Sequence, residues 1–336
     1  MMKAWLQKLV ERKDLTQEEM TAAFDAIMAG EATPAQIGAF VTALRMKGET
    51  VEELAGGAAS MRRHAVFVDV GGLPVVDTCG TGGDDTGTFN ISTAAAFVVA
   101  GAGVPVAKHG NRAVTSRCGS ADVLAELGVN IEAPVPIVEE SIREVGLGFL
   151  FAPRLHPAMK HAMGPRRELG IRTIFNMLGP LTNPAGAKGQ LIGVFKAELT
   201  EPFAHVLKRL GSRRAFLVHG HDGMDEITTT AATRVSELDG GRVTTYDLDP
   251  RDFVEAYARP ADLAGGDPPR NAAIIRDVLG GKTGPCRDIV CLNAAAAIVA
   301  GGLVGDLRQG WDLAHEAIDN GRAMAVLDGL VRVTTA

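Results

Sequence analysis

Between residues 74 and 220 the chain keeps returning to one pattern. A short apolar run meets a turn and is followed by helical periodicity. The runs are PVVDT (74–78), VPVAKHG (104–110), GLGFLFA (146–152), QLIGVF (190–195) and RAFLVHG (214–220). Strands that alternate with helices through glycine turns predict a mainly parallel sheet with helices on both faces. Glycine supplies 40 of the 336 residues, about 12% against a usual ~7%. With no collagen period in the sequence, the excess reads as tight βα turns, some letting backbone approach a ligand.

Residues 1–70 have a different rhythm. Trp5, Leu6, Leu9 and Val10 recur at helical spacing. Thr16 with Glu19 three positions on has the pattern of a capping box. Thr33 before Pro34 starts a second helix along Ile37, Phe40 and Leu44, and a third begins near Thr50. This predicts a small all-helical domain ending near Gly71-Gly72, ahead of a larger α/β domain. Late in the chain, VSELDGGRVTTYDL (235–248) reads as a hairpin turning at Asp239-Gly240-Gly241. Helices are expected at 270–280, 288–300 and 307–320.

The opening MMKAWLQKLVERKD carries charge throughout, so no signal peptide is expected. The weakly polar run 91–107 is broken by Gly101, Gly103 and Pro105, which argues against a membrane span. Cys79, Cys118, Cys286 and Cys291 form no CxxC pair, pointing to a reducing cytoplasm and away from structural zinc. The net charge of −6 gives no support for nucleic-acid binding. The charge is uneven, however. No acid lies between Asp85 and Asp122, where Lys108, Arg112 and Arg117 stand. Between Glu144 and Glu198 the lone acid is Glu168, among Arg154, Lys160, Arg166, Arg167, Arg172, Lys188 and Lys196. Two acid-depleted basic stretches in an acidic protein suggest a pocket for an anionic small ligand.

Four segments carry chemistry. In DTCGTGGDDTGTFNIST (77–93) a strand runs into a loop with four glycines and then a helix capped at Asn90 or Ser92. Converging backbone N–H groups and a helix N-terminus make a phosphate cradle, to which Thr88, Ser92 and Thr93 can add hydroxyls. An ordinary βα turn needs one glycine. The segment is neither a Walker A sequence nor GxGxxG. In KHGNRAVTSRCGSAD (108–122), Lys108 stands at the carboxyl end of a strand, where open α/β sheets bind ligands. Asn111, Arg112, Thr115, Ser116 and Ser120 supply donors near it. In HGHDGMDEIT (219–228), Asp225 and Glu226 are hard oxygen donors suited to Mg²⁺, which usually needs one or two carboxylates plus substrate phosphates. In 151–186, methionines, a phenylalanine and cations interleave. An apolar slot with an arginine suits an aromatic carboxylate, and helix packing between domains is the plainer reading of the same segment.

Taken together, GTGGD with FNIST, KHGNRAVTS with GSADVL, HPAMK, RxELGxRTxFNxLGPLxNP and GMDEIT resemble the anthranilate phosphoribosyltransferase family. The motifs occur in order across 77–228, and departures are confined to Asp85 and Leu155. The resemblance implies a helical domain, 1–70, completed by helices inserted from about 165–188, which forms a homodimer interface. Residues 71–164 and 189–336 would form the α/β domain that binds phosphoribosyl pyrophosphate. It assigns that substrate to Gly80, Gly83, Asp84, Thr88, Asn90, Ile91, Ser92 and Thr93, with Lys108, His109, Gly110, Asn111, Arg112, Ala113, Val114, Thr115, Ser116 and Ser120. Anthranilate falls to Gly80, Asn111 and Arg166, with His109, His156 and Pro180 lining its approach. Ser92, Asp225 and Glu226 are the implied magnesium ligands, with two ions per subunit; the acid pair alone leaves open whether it shares one ion or holds two. Lys108, Asp225 and Glu226 are the implied catalytic residues. Two rivals stay in view: a pyrimidine nucleoside phosphorylase, and a non-catalytic relative that binds nucleic acid.

Overall fold

The computed structural model describes residues 1–84, 86–113 and 117–336. Four helices come first: α1 (Met2–Val10), α2 (Gln17–Met28), α3 (Pro34–Lys47) and α4 (Val51–Arg63). Thr16, Thr33 and Thr50 each close a reciprocal capping box, with Glu19, Gln36 and Glu53 respectively. Each box satisfies two otherwise orphaned backbone donors, which is why these starts are legible in sequence. Phe24, Phe40, Ile37 and Leu44 are fully buried between the helices, each contributing roughly 1.5–3 kcal/mol by burial.

The α/β part begins with β1 (Val76–Gly80), α5 (Ile91–Gly101), β2 (Val106–Gly110), α6 (Ser120–Glu126), α7 (Val135–Val145) and β3 (Leu147–Phe151). A one-turn α8 (Ala152–Leu155), then α9 (Lys160–Leu169) and α10 (Ile174–Leu178), lead back to β4 (Gly189–Gly193). After these come α11 (Thr200–Arg209), β5 (Arg214–Gly220), β6 (Thr233–Asp239) and β7 (Arg242–Leu248). The chain ends in α12 (Pro268–Leu279), α13 (Pro285–Ala300), α14 (Leu307–Asp319) and α15 (Arg322–Thr335). Helices α7, α11 and α15 were not among the expected elements. Helix α9 packs on α2 and α3, and α10 on α3 and α4.

Among the described residues the sheet has seven strands in the order β3-β2-β1-β4-β5-β6-β7. The first five run parallel, while β6 and β7 are antiparallel and form the expected hairpin. Alternation along the strands feeds two cores. Leu191, Phe216 and Val218 join α5 and α13 on one face. Ile192, Val194 and Leu217 join α11 and the amino-terminal helices on the other. From β1 the chain steps outward to β2 and β3, then returns to lay β4 on the opposite side of β1. That reversal opens a crevice at the carboxyl ends of the strands, the usual ligand position in open α/β sheets. Among the described residues no helix is long and apolar enough to cross a membrane.

Candidate active site

Three loops that are distant in sequence meet in this crevice. Lys108, on β2 and 2% exposed, donates from Nζ to the carbonyl oxygen of Thr78 on β1 and approaches Ser92 Oγ at 3.4 Å. Ser92 N donates to Glu226 Oε1 (3.2 Å), and Gly82 N to Asp225 Oδ2 (2.9 Å). Asp225 N faces Asp84 Oδ2 at 3.4 Å. The glycine loop and the Asp225-Glu226 loop are therefore tied together directly. Asn90 takes the N-cap position of α5 but caps nothing with its side chain. Its amide instead donates to Cys118 O and accepts from Asn271 Nδ2. Ser92 does not cap the helix either: the carboxylate reaching the first turn is that of Glu226, in the favourable sense for a helix amino terminus.

The approach of the two loops depends on missing side chains. A Cβ on Gly193, at the end of β4, would collide with the carbonyl oxygen of Asp225. One on Gly80 would lie 2.7 Å from Asp225 Oδ2. Both distances explain glycine at these strand ends, since only a bare backbone lets the acid loop fold over β1 and β4.

Electrostatically the site is short of positive charge. Burial, then the negative charges of Asp84 and Glu226, push the Asp225 carboxyl well above the usual range. Glu226 is raised to about 7, chiefly by burial and against the pull of Lys108. Burial lowers Lys108, while Asp77, Cys79 and Glu226 draw it the other way. The Asp225 and Glu226 carboxyls, facing one ammonium, are hard oxygen donors of the kind a divalent cation takes. No group of three or more His, Cys, Asp or Glu among the described residues is arranged to chelate a metal alone.

Beside this lies a second group. His109 Nε2 and His156 Nε2 are 3.2 Å apart, both rings buried. Burial lowers His109 to about 3 and His156 to about 4, so the pair is neutral and one ring donates to the other. The Gly179 backbone, next to Pro180, contacts His109 and works against its shift. Pro180 is buried, its carbonyl accepting from Gln190 Nε2. Asn111 and Ser120 brace each other through Asn111 N to Ser120 Oγ and Ser120 Oγ to Asn111 O, both 3.2 Å. A Cβ on Gly110 would collide with that same Ser120 hydroxyl. Arg112 pairs with Asp122 at 3.1 Å, and Ala113 N donates to the same carboxylate. Arg166, on α9, lies over the Phe175 ring at 5.2 Å and is lowered by burial. Among the described residues it has no carboxylate partner.

Not every expected residue faces this crevice. Ile91 and Thr93 are buried, with Thr93 set among Ala96, Phe97 and Lys108. They can offer backbone rather than side chain. Thr88 is held by a backbone bridge to Ala264. Val114, Thr115 and Ser116, like Asp85, lie outside the described residues. Asp77 and Asn183 went unmarked in sequence. Asp77 accepts His109 N (3.0 Å) and Asn183 Nδ2 (2.8 Å), so it fixes the backbone of β2 beside Lys108. A lone acid inside an apolar strand run was the available signal, because a carboxylate there must have partners.

Two family profiles cover most of the chain. "Glycosyl transferase family, a/b domain" matches residues 72–324, and "Glycosyl transferase family, helical bundle domain" matches 3–65. The anthranilate phosphoribosyltransferase of Syntrophobacter fumaroxidans is 59% identical over 329 residues, 98% of each chain. The crystal structure of anthranilate phosphoribosyltransferase from Thermus thermophilus superposes with TM-score 0.94 at 44% identity, covering 99% of each chain. That of the Saccharomyces cerevisiae enzyme in complex with PRPP and Mg has TM-score 0.89 at 29% identity, over 99% of this chain and 98% of that one. Sheet order, crevice and sequence agree, and this chain belongs to the anthranilate phosphoribosyltransferase family.

Proposed function

We propose that this protein transfers the 5-phosphoribosyl group of phosphoribosyl pyrophosphate to the amine of anthranilate, releasing pyrophosphate, in tryptophan biosynthesis. The observation that carries the reading is the junction of glycine loop, Lys108 and Asp225-Glu226 at one strand-end crevice. A relative with this fold is described in complex with PRPP and Mg, and another structure of the yeast enzyme with 4-fluoroanthranilate.

The reaction breaks the C1–O bond to the diphosphate and forms a C1–N bond, and the amine loses one proton. Negative charge grows on the leaving diphosphate and positive charge on the ribose. Lys108 and backbone N–H groups of the glycine loop would stabilise the leaving charge. Ser92, Asp225 and Glu226 would hold magnesium, which neutralises phosphate oxygens when bound. The amine is already a neutral nucleophile near pH 7, so positioning outweighs deprotonation, and no side chain is assigned as general base. Gly80, Asn111 and Arg166 orient the anthranilate carboxylate and ring, with His109, His156 and Pro180 along its approach. Because His109 and His156 are neutral, they add no charge to compete with Arg166. The remaining features of the proposal are two magnesium ions per subunit, a homodimer through a helical domain of 1–70 and about 165–188, and action in the cytoplasm.

The test is direct. Anthranilate fluorescence should fall on adding phosphoribosyl pyrophosphate with Mg²⁺ and persist with EDTA. Phosphorolysis of thymidine without anthranilate turnover would instead favour the nucleoside phosphorylase reading. A salt-dependent DNA shift without turnover would favour the nucleic-acid-binding one.

A further inference from the structure

Arg172 belongs to the second acid-depleted stretch, six residues after Arg166, and it reaches the glycine loop from the far side. Its Nη2 donates to Gly83 O at 2.6 Å and to Gly82 O at 3.3 Å. The guanidinium lies 4.5 Å above the Phe195 ring, just beyond β4. At its base, the Arg172 carbonyl accepts Arg45 Nη1 from α3 at 2.6 Å. Backbone, plane and tip are thus each fixed by a different part of the molecule.

Gly82 and Gly83 both have positive φ, +65° and +71°, and neither has a side chain with which to hold its own conformation. A loop of this kind is costly to order unless something outside it does so. In a trans peptide the C=O and the following N–H point in opposite directions. Two carbonyls drawn to one guanidinium therefore leave the N–H groups of Gly83 and Asp84 on the opposite side. Among the described residues neither N–H has an acceptor. A cation on the carbonyl side also polarises both peptides, strengthening those N–H groups as donors.

We propose that Arg172 is a positioning residue for phosphoribosyl transfer. By anchoring the Gly82 and Gly83 carbonyls it presents the Gly83 and Asp84 N–H groups to the diphosphate. This rests on the proposed function. It gives Arg172 a role distinct from that of Lys108, because it acts on the substrate only through the loop. It also ties the segment carrying Arg166 to the loop that would hold the donor.

The experiment compares wild type, Arg172→Ala, Arg172→Lys and Phe195→Leu for calorimetric binding of inorganic pyrophosphate with Mg²⁺, alongside steady-state kinetics. Loss of a charge-assisted pair of hydrogen bonds should weaken pyrophosphate binding in Arg172→Ala by about tenfold or more. The KM for phosphoribosyl pyrophosphate should rise in step, while that for anthranilate stays within about twofold. Arg172→Lys should recover part of the loss, since an ammonium reaches a carbonyl but makes no planar fork or stack. Phe195→Leu, which keeps the guanidinium, should fall between. If Arg172→Ala proves poorly folded, the Lys and Leu variants decide by the same order.

Equal pyrophosphate affinity in wild type and Arg172→Ala overturns the inference and leaves the proposed function standing. So does full recovery in Arg172→Lys, which would reduce the effect to charge alone, or an equal rise in both KM values, which would make Arg172 an interdomain strut. A wild type that binds no pyrophosphate overturns the functional reading and this inference with it.

Discussion

Lys108 is a buried cation bonded to the Thr78 carbonyl and beside Ser92 Oγ, and its surroundings make its removal costly in a particular way. It balances Glu226 and Asp77 where burial already works against its charge. Lys108→Ala should lower kcat/KM by about 10²–10³-fold, the scale of losing one preorganised charge donor, as read by anthranilate fluorescence. The His109–His156 pair sets a pH dependence of stability. Their folded values, about 3 and about 4, lie below the ordinary 6.5. Above that value both states are neutral and the full stability is present. As pH falls below it, the unfolded chain takes up protons that the folded pair refuses. Each histidine should then cost about 1.4 kcal/mol per pH unit until its folded value is reached. Urea unfolding at about pH 7.5 and about pH 5 measures this. The slope should flatten when both are replaced, as in a His109→Gln/His156→Gln double variant. Of these residues, Lys108 and Asp225-Glu226 were legible because each ends or follows a strand in a polar, glycine-bearing run. Asp77 was hidden inside such a strand, and its meaning depends on Asn183, 106 residues away.

At the scale of elements, the strand ends matter more than the strands. Parallel strands and the hairpin could be read from short apolar runs, with boundaries off by one or two residues as ends usually are. The helix starts at Thr16, Thr33 and Thr50 were legible because a capping box is local chemistry. The start of α5 was legible at Asn90, but the group that meets its first turn was not, since that carboxylate comes from Glu226, beyond β5. Helix α15 was missed for a similar reason. It has no side-chain cap and begins after Gly321 with φ +76°, a poor signal in a run of alanine, methionine and valine. Gly193 is the sharpest test of the strand-end argument. Gly193→Ala should push the Asp225 loop away and cut kcat/KM by about 10²-fold, the usual cost of misplacing catalytic groups by about 1 Å. Far-UV dichroism should stay that of the wild type, because the collision is with one loop rather than with the sheet. Turnover equal to wild type would show that the loop has slack that the packing argument denies.

The whole molecule is less divisible than its two kinds of architecture suggest. One apolar core holds Phe24, Phe40 and Leu54 of the amino-terminal helices together with Ile192, Phe203 and Leu217 around the sheet. Arg62, at the end of α4, donates to Leu181 O at 2.8 Å and toward Leu210 O at 3.5 Å. A shared core predicts one cooperative unfolding transition by calorimetry, and a fragment of residues 1–65 without a cooperative transition of its own. Two separated transitions would disprove this. The architecture was legible because periodicity changes near Gly71. The fusion of the cores was not, since no local pattern says which helix face meets which sheet. The reversal at β1 also bears on how the protein is made. On the ribosome the glycine loop and Lys108 emerge long before Asp225 and Glu226, and β4, which must slide in beside β1, arrives between them. Until that late strand is seated, the early half of the sheet exposes one edge of β1 where its neighbour should be. Translation therefore delivers the glycine loop first and the acids that fold over it later, so a nascent or truncated chain has no completed crevice to offer.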